Sequence, residues 1–100
     1  MSGFAKKVIL NSKTGYSAKH DSLLNQLIDD KVLLFCTVGK DCELWHDIMD
    51  ELFVGPLGDE RDFFMITTWH NDETLEDVTE FAKFFQIDNI DNDEIEIIEV

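Results

Sequence analysis

Proline, cysteine and long apolar runs are scarce in this chain, and each scarcity excludes a class of protein. The 100 residues include one proline and five glycines, too few for a collagen-like or low-complexity chain. Cys36 and Cys42 do not make a disulfide framework, so we expect two reduced thiols. No segment approaches the roughly 20 apolar residues of a membrane helix. Residues 1–7 lead into a strand instead of a secretory signal, so we expect a cytoplasmic protein that does not bind membranes.

Basic residues are also scarce, and they are distributed unevenly. The chain has 22 acidic and eight basic residues, a formal net charge of −14. Residues 1–40 contain six lysines and three acids, whereas residues 41–100 contain 19 acids and only Arg61 and Lys83 as bases. Such a field repels nucleic-acid phosphates and speeds encounter with basic partners. We therefore expect no nucleic-acid binding, and two interpretations remain open, a basic protein partner or solubility alone.

What the sequence does contain is a regular alternation of strand-like and helix-like segments. Apolar runs at 7–11, 32–38, 62–68 and 95–100 predict four strands. Apolar residues at helical spacing predict helices at 17–30, from Asp41 to a stop at 55–58, and from near Asp72 to Phe85. The alternation predicts one α/β domain over residues 1–100, a βαβαβαβ three-layer sandwich with a four-stranded parallel sheet. We expect the strand order 2-1-3-4, in which the loops after strands one and three face each other.

The loop after the first strand resembles the phosphate loop of flavodoxins. Ser12, Thr14, Gly15 and Ser17 match that family's Ser/Thr-x-Thr-Gly-x-Thr/Ser pattern, and Lys13 adds a positive charge. The resemblance implies that hydroxyls and amides of this loop surround the phosphate of FMN. Free amides at a helix N-terminus form an anion site on general grounds. A turn followed by a helix cap, which needs Gly and Ser for local reasons, is the alternative.

The loop after the third strand is similar to a second flavodoxin motif. Residues 67–73 follow that family's Ser/Thr-Thr-Trp-Gly-Asp-Gly/Asp-Glu loop, with His70 where the family usually has Gly. The resemblance implies that Trp69 stacks on the flavin and that Thr68 lines the site. A fifth strand and a third flavin-contacting loop, both present in flavodoxins, have no counterpart here. A small Rossmann-like family of its own is the alternative assignment, and partial burial is the alternative for Trp69.

No motif for catalysis or metal binding stands out. His20, His46 and His70 fall on different predicted elements, without the spacing of converging metal ligands. A Walker loop, a nucleophile elbow and a dinucleotide fingerprint are all missing from the sequence. We therefore expect neither a metal nor a catalytic residue.

Acidic side chains on the second and third predicted helices form a candidate partner surface. The candidate residues are Trp45, Asp47, Asp50, Glu51, Glu76, Asp77, Glu80 and Phe84. The carboxylates would steer a basic partner, and a protruding Trp45 or Phe84 would anchor it, unless these aromatics belong to a broad core-facing stripe. The leading hypothesis is a small acidic non-enzymatic binding or regulatory module, monomeric or homodimeric. The alternative is a domain that binds FMN or another phosphate ligand.

Overall fold

Four parallel strands alternate with three helices, which confirms the predicted α/β class. The computed structural model describes residues 5–54, 65–87 and 94–100. The strands are β1 (Lys7–Ser12), β2 (Leu34–Gly39), β3 (Ile66–His70) and β4 (Ile95–Glu99). The helices are α1 (Asp21–Asp29), which a short 3-10 helix (Ala18–His20) precedes, α2 (Cys42–Val54) and α3 (Leu75–Phe84). The predicted helix stop at 55–58, the start of the predicted third strand at 62–64 and a predicted polar loop at 88–93 lie outside the described residues.

The strands follow a different order from the predicted one. Their order in the sheet is β3-β2-β1-β4, and all three pairs are parallel. Ile9 of β1 lies between Cys36 of β2 and Ile97 of β4. The predicted order 2-1-3-4, with β3 beside β1, is therefore wrong. The observed order is that of the first four strands in Rossmann-type sheets.

Differences in burial along the strands explain this order. β1 and β2 bury nearly every side chain, as strands covered on both faces do. In β3, Thr67 and Thr68 are half-buried and Trp69 is exposed, which suits an edge strand. The prediction placed the third strand at 62–68, whose Phe and Met residues are typical of an interior strand. The observed strand starts at Ile66 and includes Trp69 and His70, so its composition is more polar.

Helices cover both faces of the sheet, as the three-layer prediction requires. Because β1, β2 and β3 succeed one another in one direction, right-handed crossovers place α1 and α2 on one face. The connection from β3 back to β4 runs in the opposite direction and places α3 on the other face. The core accordingly has two parts. On one face, α1 and α2 pack against Val8, Leu10 and Phe35 through Leu24, Leu27, Trp45 and Met49. On the other face, α3 packs against Ile9, Leu34 and Cys36 through Val78 and Ala82.

Two adjacent lysines at the start of β1 stabilise a helix end on each face. Successive side chains of a strand point to opposite faces, so Lys6 and Lys7 diverge. The Lys6 ammonium donates to the Asp30 carbonyl at 2.9 Å, just beyond α1. The buried Lys7 ammonium donates to the Ala82 and Phe85 carbonyls at 2.5 Å each, at the end of α3. Cationic donors satisfy the free carbonyls of a helix C-terminus and interact favourably with the helix dipole.

A capping box sets the start of α3. The Thr74 hydroxyl oxygen accepts a hydrogen bond from the Asp77 amide at 3.1 Å, and the Asp77 carboxylate accepts one from the Thr74 amide at 3.4 Å. Asp72 lies in the preceding turn with φ +61°. The predicted start near Asp72 is therefore too early, because Thr74 supplies the reciprocal cap that satisfies the first amides of the helix.

Replacing Gly39 with alanine is expected to destabilise the fold by about 2 kcal/mol or more. Gly39 has φ +95°, and a Cβ at this position would lie 2.2 Å from the Ser12 carbonyl oxygen, which belongs to the backbone of β1. Urea and thermal unfolding measure the effect. The matched control is Lys40→Ala at the next, exposed position, which should change stability by less than about 0.5 kcal/mol. Equal stability of the two variants would contradict the close approach of β1 and Gly39.

Candidate functional site

The carboxyl end of the sheet is where ligands of open parallel sheets bind, and Ser12 organises it. The Ser12 hydroxyl oxygen accepts hydrogen bonds from the Gly15 amide at 3.1 Å and from the Trp45 indole N–H at 3.0 Å. The Ser12 carbonyl accepts the Lys40 amide at 2.9 Å. The loops after β1 and β2 are therefore fixed to each other and to α2 through one residue.

The backbone amides of the predicted phosphate loop all donate to acceptors of the chain itself. Lys13 and Thr14 donate to the Val100 carbonyl at 2.6 and 3.3 Å, Gly15 to the Ser12 hydroxyl, Tyr16 to Asp41 Oδ2 at 3.1 Å and Ser17 to His20 Nδ1 at 3.3 Å. Val100 follows β4, so its carbonyl lies at the switch point between β1 and β4. A phosphate at this loop would have to displace these acceptors, among them a carboxylate. FMN binding here stays a prediction.

The strand order separates the two loops that were predicted to share a ligand. β2 lies between β1 and β3, so Trp69 and Ser12 belong to strands about 10 Å apart. Thr68 and Trp69 also point to opposite faces. The Thr68 hydroxyl lies 2.9 Å from His70 Nε2, whereas the Trp69 ring packs on His46 of α2 with centroids 4.6 Å apart. The structure brings Ser12 and Gly15 together, but it does not bring Thr68 and Trp69 to them.

His70, which the prediction placed in a loop, is a buried residue that joins β3 to the turn before α3. His70 Nδ1 lies 3.1 Å from Glu73 Oε2, and the imidazole packs edge-on against Phe81 at 4.9 Å. Because a carboxylate only accepts hydrogen bonds, Nδ1 carries the proton in the contact with Glu73. This chain of contacts fixes the direction in which the backbone leaves β3.

Both cysteines are buried, free thiols. Burial raises the pKa of Cys36 to about 11, and the hydrogen bond with Thr68 and the charge of Lys7 offset this only in part. The Cys42 thiol, in the first turn of α2 as predicted, donates to Asn71 Oδ1 at 3.1 Å. Cys36 is therefore a protonated thiol at neutral pH, which is a poor nucleophile.

The described ranges contain neither a group of metal ligands nor a helix that could span a membrane. Within residues 5–54, 65–87 and 94–100, no three His, Cys, Asp or Glu side chains are grouped so that they could hold a metal ion. No helix in the same ranges combines the length and the apolarity needed to cross a membrane.

One group of exposed residues with recognition chemistry lies at the side of the sheet. We call this region the α2–β3 surface and define it as Asp47, Asp50, Thr67 and Trp69. Glu51 is exposed on the same helix, but its charge acts on Tyr16. Trp69 is 43% exposed, and the side chains of Asp47 and Asp50 are 61% and 50% exposed. The surface therefore combines a large aromatic ring with carboxylates that water can reach.

His46 connects the members of the α2–β3 surface. Its Nδ1 lies 3.2 Å from Asp47 Oδ1, its Nε2 lies 3.6 Å from Asp50 Oδ2, and its ring supports Trp69. Asp50 Oδ1 also accepts a hydrogen bond from the Thr67 hydroxyl at 2.7 Å. No sequence pattern predicts the contact between His46 and Trp69, because it joins residues of separate elements. The i,i+4 spacing of His46 and Asp50, by contrast, favours a pair on one helix face.

The other predicted partner residues do not join this surface. Trp45 is fully buried and packs edge-on against Tyr16 at 5.2 Å, so the expectation that it protrudes is wrong. Its indole N–H requires the Ser12 acceptor, which lies inside the fold. The remaining candidates belong to α3, on the opposite face of the sheet: Glu76, Asp77, Glu80 and Phe84. Phe84 is 79% exposed, as expected.

Comparison with known proteins identifies one family. The family model of a domain of unknown function, DUF7684, matches residues 2–100. Neither the curated proteins nor the solved structures gave a significant match.

Tyr16, the single tyrosine of the chain, is expected to titrate with a pKa of about 12 instead of 10.0. The main cause is the hydrogen bond from its hydroxyl to Asp21 Oδ1. Because the pKa is raised in the folded state, the stabilisation that Tyr16 provides is fully present below pH 10 and is lost as the pH rises through about 12. Tyrosinate absorbance measures this single group.

Asp21→Asn is the comparison for this titration. We expect the variant to titrate closer to the ordinary tyrosine pKa of 10.0, because the neutral amide neither repels the phenolate nor binds the hydroxyl as strongly. Identical midpoints for the two proteins would contradict the contact between Tyr16 and Asp21.

Proposed function

The chain belongs to the DUF7684 family of domains of unknown function, and we propose that it is a small acidic, non-enzymatic module that binds a basic protein partner. The observation that carries the proposal is the α2–β3 surface, in which the exposed Trp69 lies beside Asp47 and Asp50. Tryptophan is among the residues most enriched at the energetic centres of protein interfaces.

The support beneath Trp69 favours a role in binding. Its ring packs on His46, which itself lies within 3.2 and 3.6 Å of two carboxylates. An aromatic side chain that is already held in place loses little conformational entropy when a partner packs against it. Its exposed face and the nearby carboxylates suit arginine or lysine, because these side chains bind aromatic faces as well as carboxylates.

Charge supports a basic partner for a second reason. The formal net charge of −14 produces a field that attracts cationic proteins over a distance. Each exposed ion pair contributes only about 0.2–1 kcal/mol. The carboxylates are therefore expected to raise the association rate, whereas Trp69 sets most of the lifetime of the complex.

The acidic residues of α3 provide an internal control for this proposal. Glu76 and Glu80 are exposed, and α3 packs on the opposite face of the sheet from α2. A partner seated on the α2–β3 surface would not contact them. If a change in net charge on α3 leaves binding unchanged while the same change on α2 weakens it, the carboxylates of α2 act through contact with the partner and not through the net charge alone.

Neutralising two carboxylates of α2 is expected to weaken partner binding about fivefold. The variant is Asp47→Asn with Asp50→Asn, and the matched control is Glu76→Gln with Glu80→Gln, which changes the net charge equally. Proteins captured at about 50 mM salt, where screening is weak, are identified by mass spectrometry, and the dissociation constant of a purified partner is then measured.

Trp69→Ala should weaken the same binding at least about tenfold.

Three results would overturn the proposed function. The first is equal weakening by the α2 and α3 double variants, which would mean that charge acts without contact. The second is a captured partner that is acidic, and the third is a complex whose affinity is the same at low and high salt.

A further inference from the structure

The outer side of β3 presents backbone groups that could pair with another strand. The Ile66 amide donates to the Leu33 carbonyl at 2.8 Å, so the backbone groups of Ile66 face β2. Because these groups alternate along a strand, those of Thr68 and His70 also face β2, whereas those of Thr67 and Trp69 face outward. The hydrogen bond from the Thr37 hydroxyl to the Thr68 carbonyl at 3.3 Å agrees with this orientation. Across the described ranges, no strand pairs with the outer side of β3.

The opposite edge of the sheet, β4, differs in its charges. Glu96 and Glu99 lie within its five residues, and charged residues within an edge strand discourage pairing. Both carboxylates already have contacts within the chain. Glu96 accepts from the Ala5 amide at 3.2 Å, and Glu99 lies 3.5 Å from the Lys13 ammonium. β3 contains no Asp, Glu, Lys or Arg, so β3 is the edge more suited to a further strand.

A groove of about 420 Å³ lies beside the start of this edge. Its lining residues are Asp50, Phe53, Val54, Met65, Ile66 and Thr67. Among the described lining residues, Phe53, Val54, Met65 and Ile66 form apolar walls, and the half-exposed Asp50 carboxylate is the single charged group. This combination suits arginine or lysine, whose apolar stem packs along such walls while the cationic head binds the carboxylate.

We propose that a basic, extended segment of the partner adds to β3 as a fifth strand, with one arginine or lysine side chain in this groove against Asp50. This inference rests on the proposed function, since the occupant is that basic partner. Strand addition provides main-chain hydrogen bonds to Thr67 and Trp69, and alternate side chains of the added strand provide specificity. The indole of Trp69 lies on the same face as the groove and contacts a neighbouring side chain of the added strand.

Charge favours a basic segment over a second copy of this chain. Pairing of two β3 edges would bring two α2–β3 surfaces together. Each surface carries two carboxylates, those of Asp47 and Asp50, on a chain of net charge −14, so the copies repel each other. A basic strand would instead neutralise these carboxylates.

The test uses synthetic peptides as probes of the full chain. The first peptide has four Arg-Thr repeats and can form a strand. The second has the same sequence and the same charge, but each of its backbone amides is N-methylated, so that neither side of the strand can donate a main-chain hydrogen bond. We expect the unmethylated Arg-Thr peptide to bind at least about tenfold more tightly at low salt, because only this peptide donates main-chain hydrogen bonds.

Proline variants of the protein test the same hydrogen bonds from the other side. Thr67→Pro removes one outward amide, and an edge strand tolerates proline where its amide faces solvent. It should weaken binding of the Arg-Thr peptide about tenfold. Thr67→Val lacks the hydroxyl but keeps the amide, so the difference in affinity between Thr67→Pro and Thr67→Val measures the contribution of the main-chain hydrogen bond. Ile97→Pro, at the half-exposed centre of β4, is the matched control and should leave binding unchanged.

Amide hydrogen exchange gives a readout that does not depend on the folding of a variant. In the free protein, the Thr67 and Trp69 amides should exchange faster than the Ile66 and Thr68 amides, which face β2. The Arg-Thr peptide should protect the Thr67 and Trp69 amides. Protection of these two amides in the free protein would overturn the inference, whether a second copy or another part of the chain provides it, and sedimentation would tell these sources apart.

The remaining outcomes separate the two proposals. If both cationic peptides bind equally and Thr67→Pro has no effect, strand addition is wrong and the acidic binding surface remains. If Ile97→Pro abolishes binding and Thr67→Pro does not, the occupied edge is β4. If neither cationic peptide binds at low salt, both proposals fail.

Discussion

The position of Ser12 is the constraint on which the carboxyl end of this fold depends. Its carbonyl accepts the Lys40 amide while Gly39 approaches too closely for any side chain, and its hydroxyl oxygen accepts the Trp45 indole. A tryptophan can be fully buried when its N–H finds an acceptor. This contact fixes the rotation of α2 about its axis. Trp45 and Met49 then face the sheet, so Asp47 and Glu51 face water.

The same contacts occupy the position at which folds of this kind usually bind ligands. Amides that would receive a phosphate after β1 already donate to the Val100 carbonyl and to the Asp41 carboxylate. At the side of the sheet the situation is reversed. The outward backbone groups of β3 have no paired strand in the described part of the chain, and the indole and carboxylates beside them are exposed. The β3 edge therefore offers backbone groups, an indole and carboxylates to a partner.

The buried and exposed faces of the helices could be predicted from the sequence, because they depend on residues that are close together along the chain. The apolar face of α3, with Val78 and Ala82 at its centre, and the exposed acids of α2 follow from helical periodicity. The strand order does not, because the orders 2-1-3-4 and 3-2-1-4 share the same segments and the same handedness. The choice between the two orders depends on which strand is polar enough for an edge, and the apolar residues at 63–66 made the third strand look less polar than β3 is. Burial of Trp45 depended on a partner 33 positions away in the sequence, which no local pattern contains.

An uncharged edge strand exposes a small protein to pairing with its own copies, and the charge distribution of this chain opposes such pairing. β3 itself has no charged side chain that would blunt the edge. Protection comes instead from the neighbouring α2, whose carboxylates would repel the identical carboxylates of a second copy. The same groups attract a strand of opposite charge. One set of side chains would therefore oppose a second copy and favour the basic strand proposed here, which is how charge contributes to specificity.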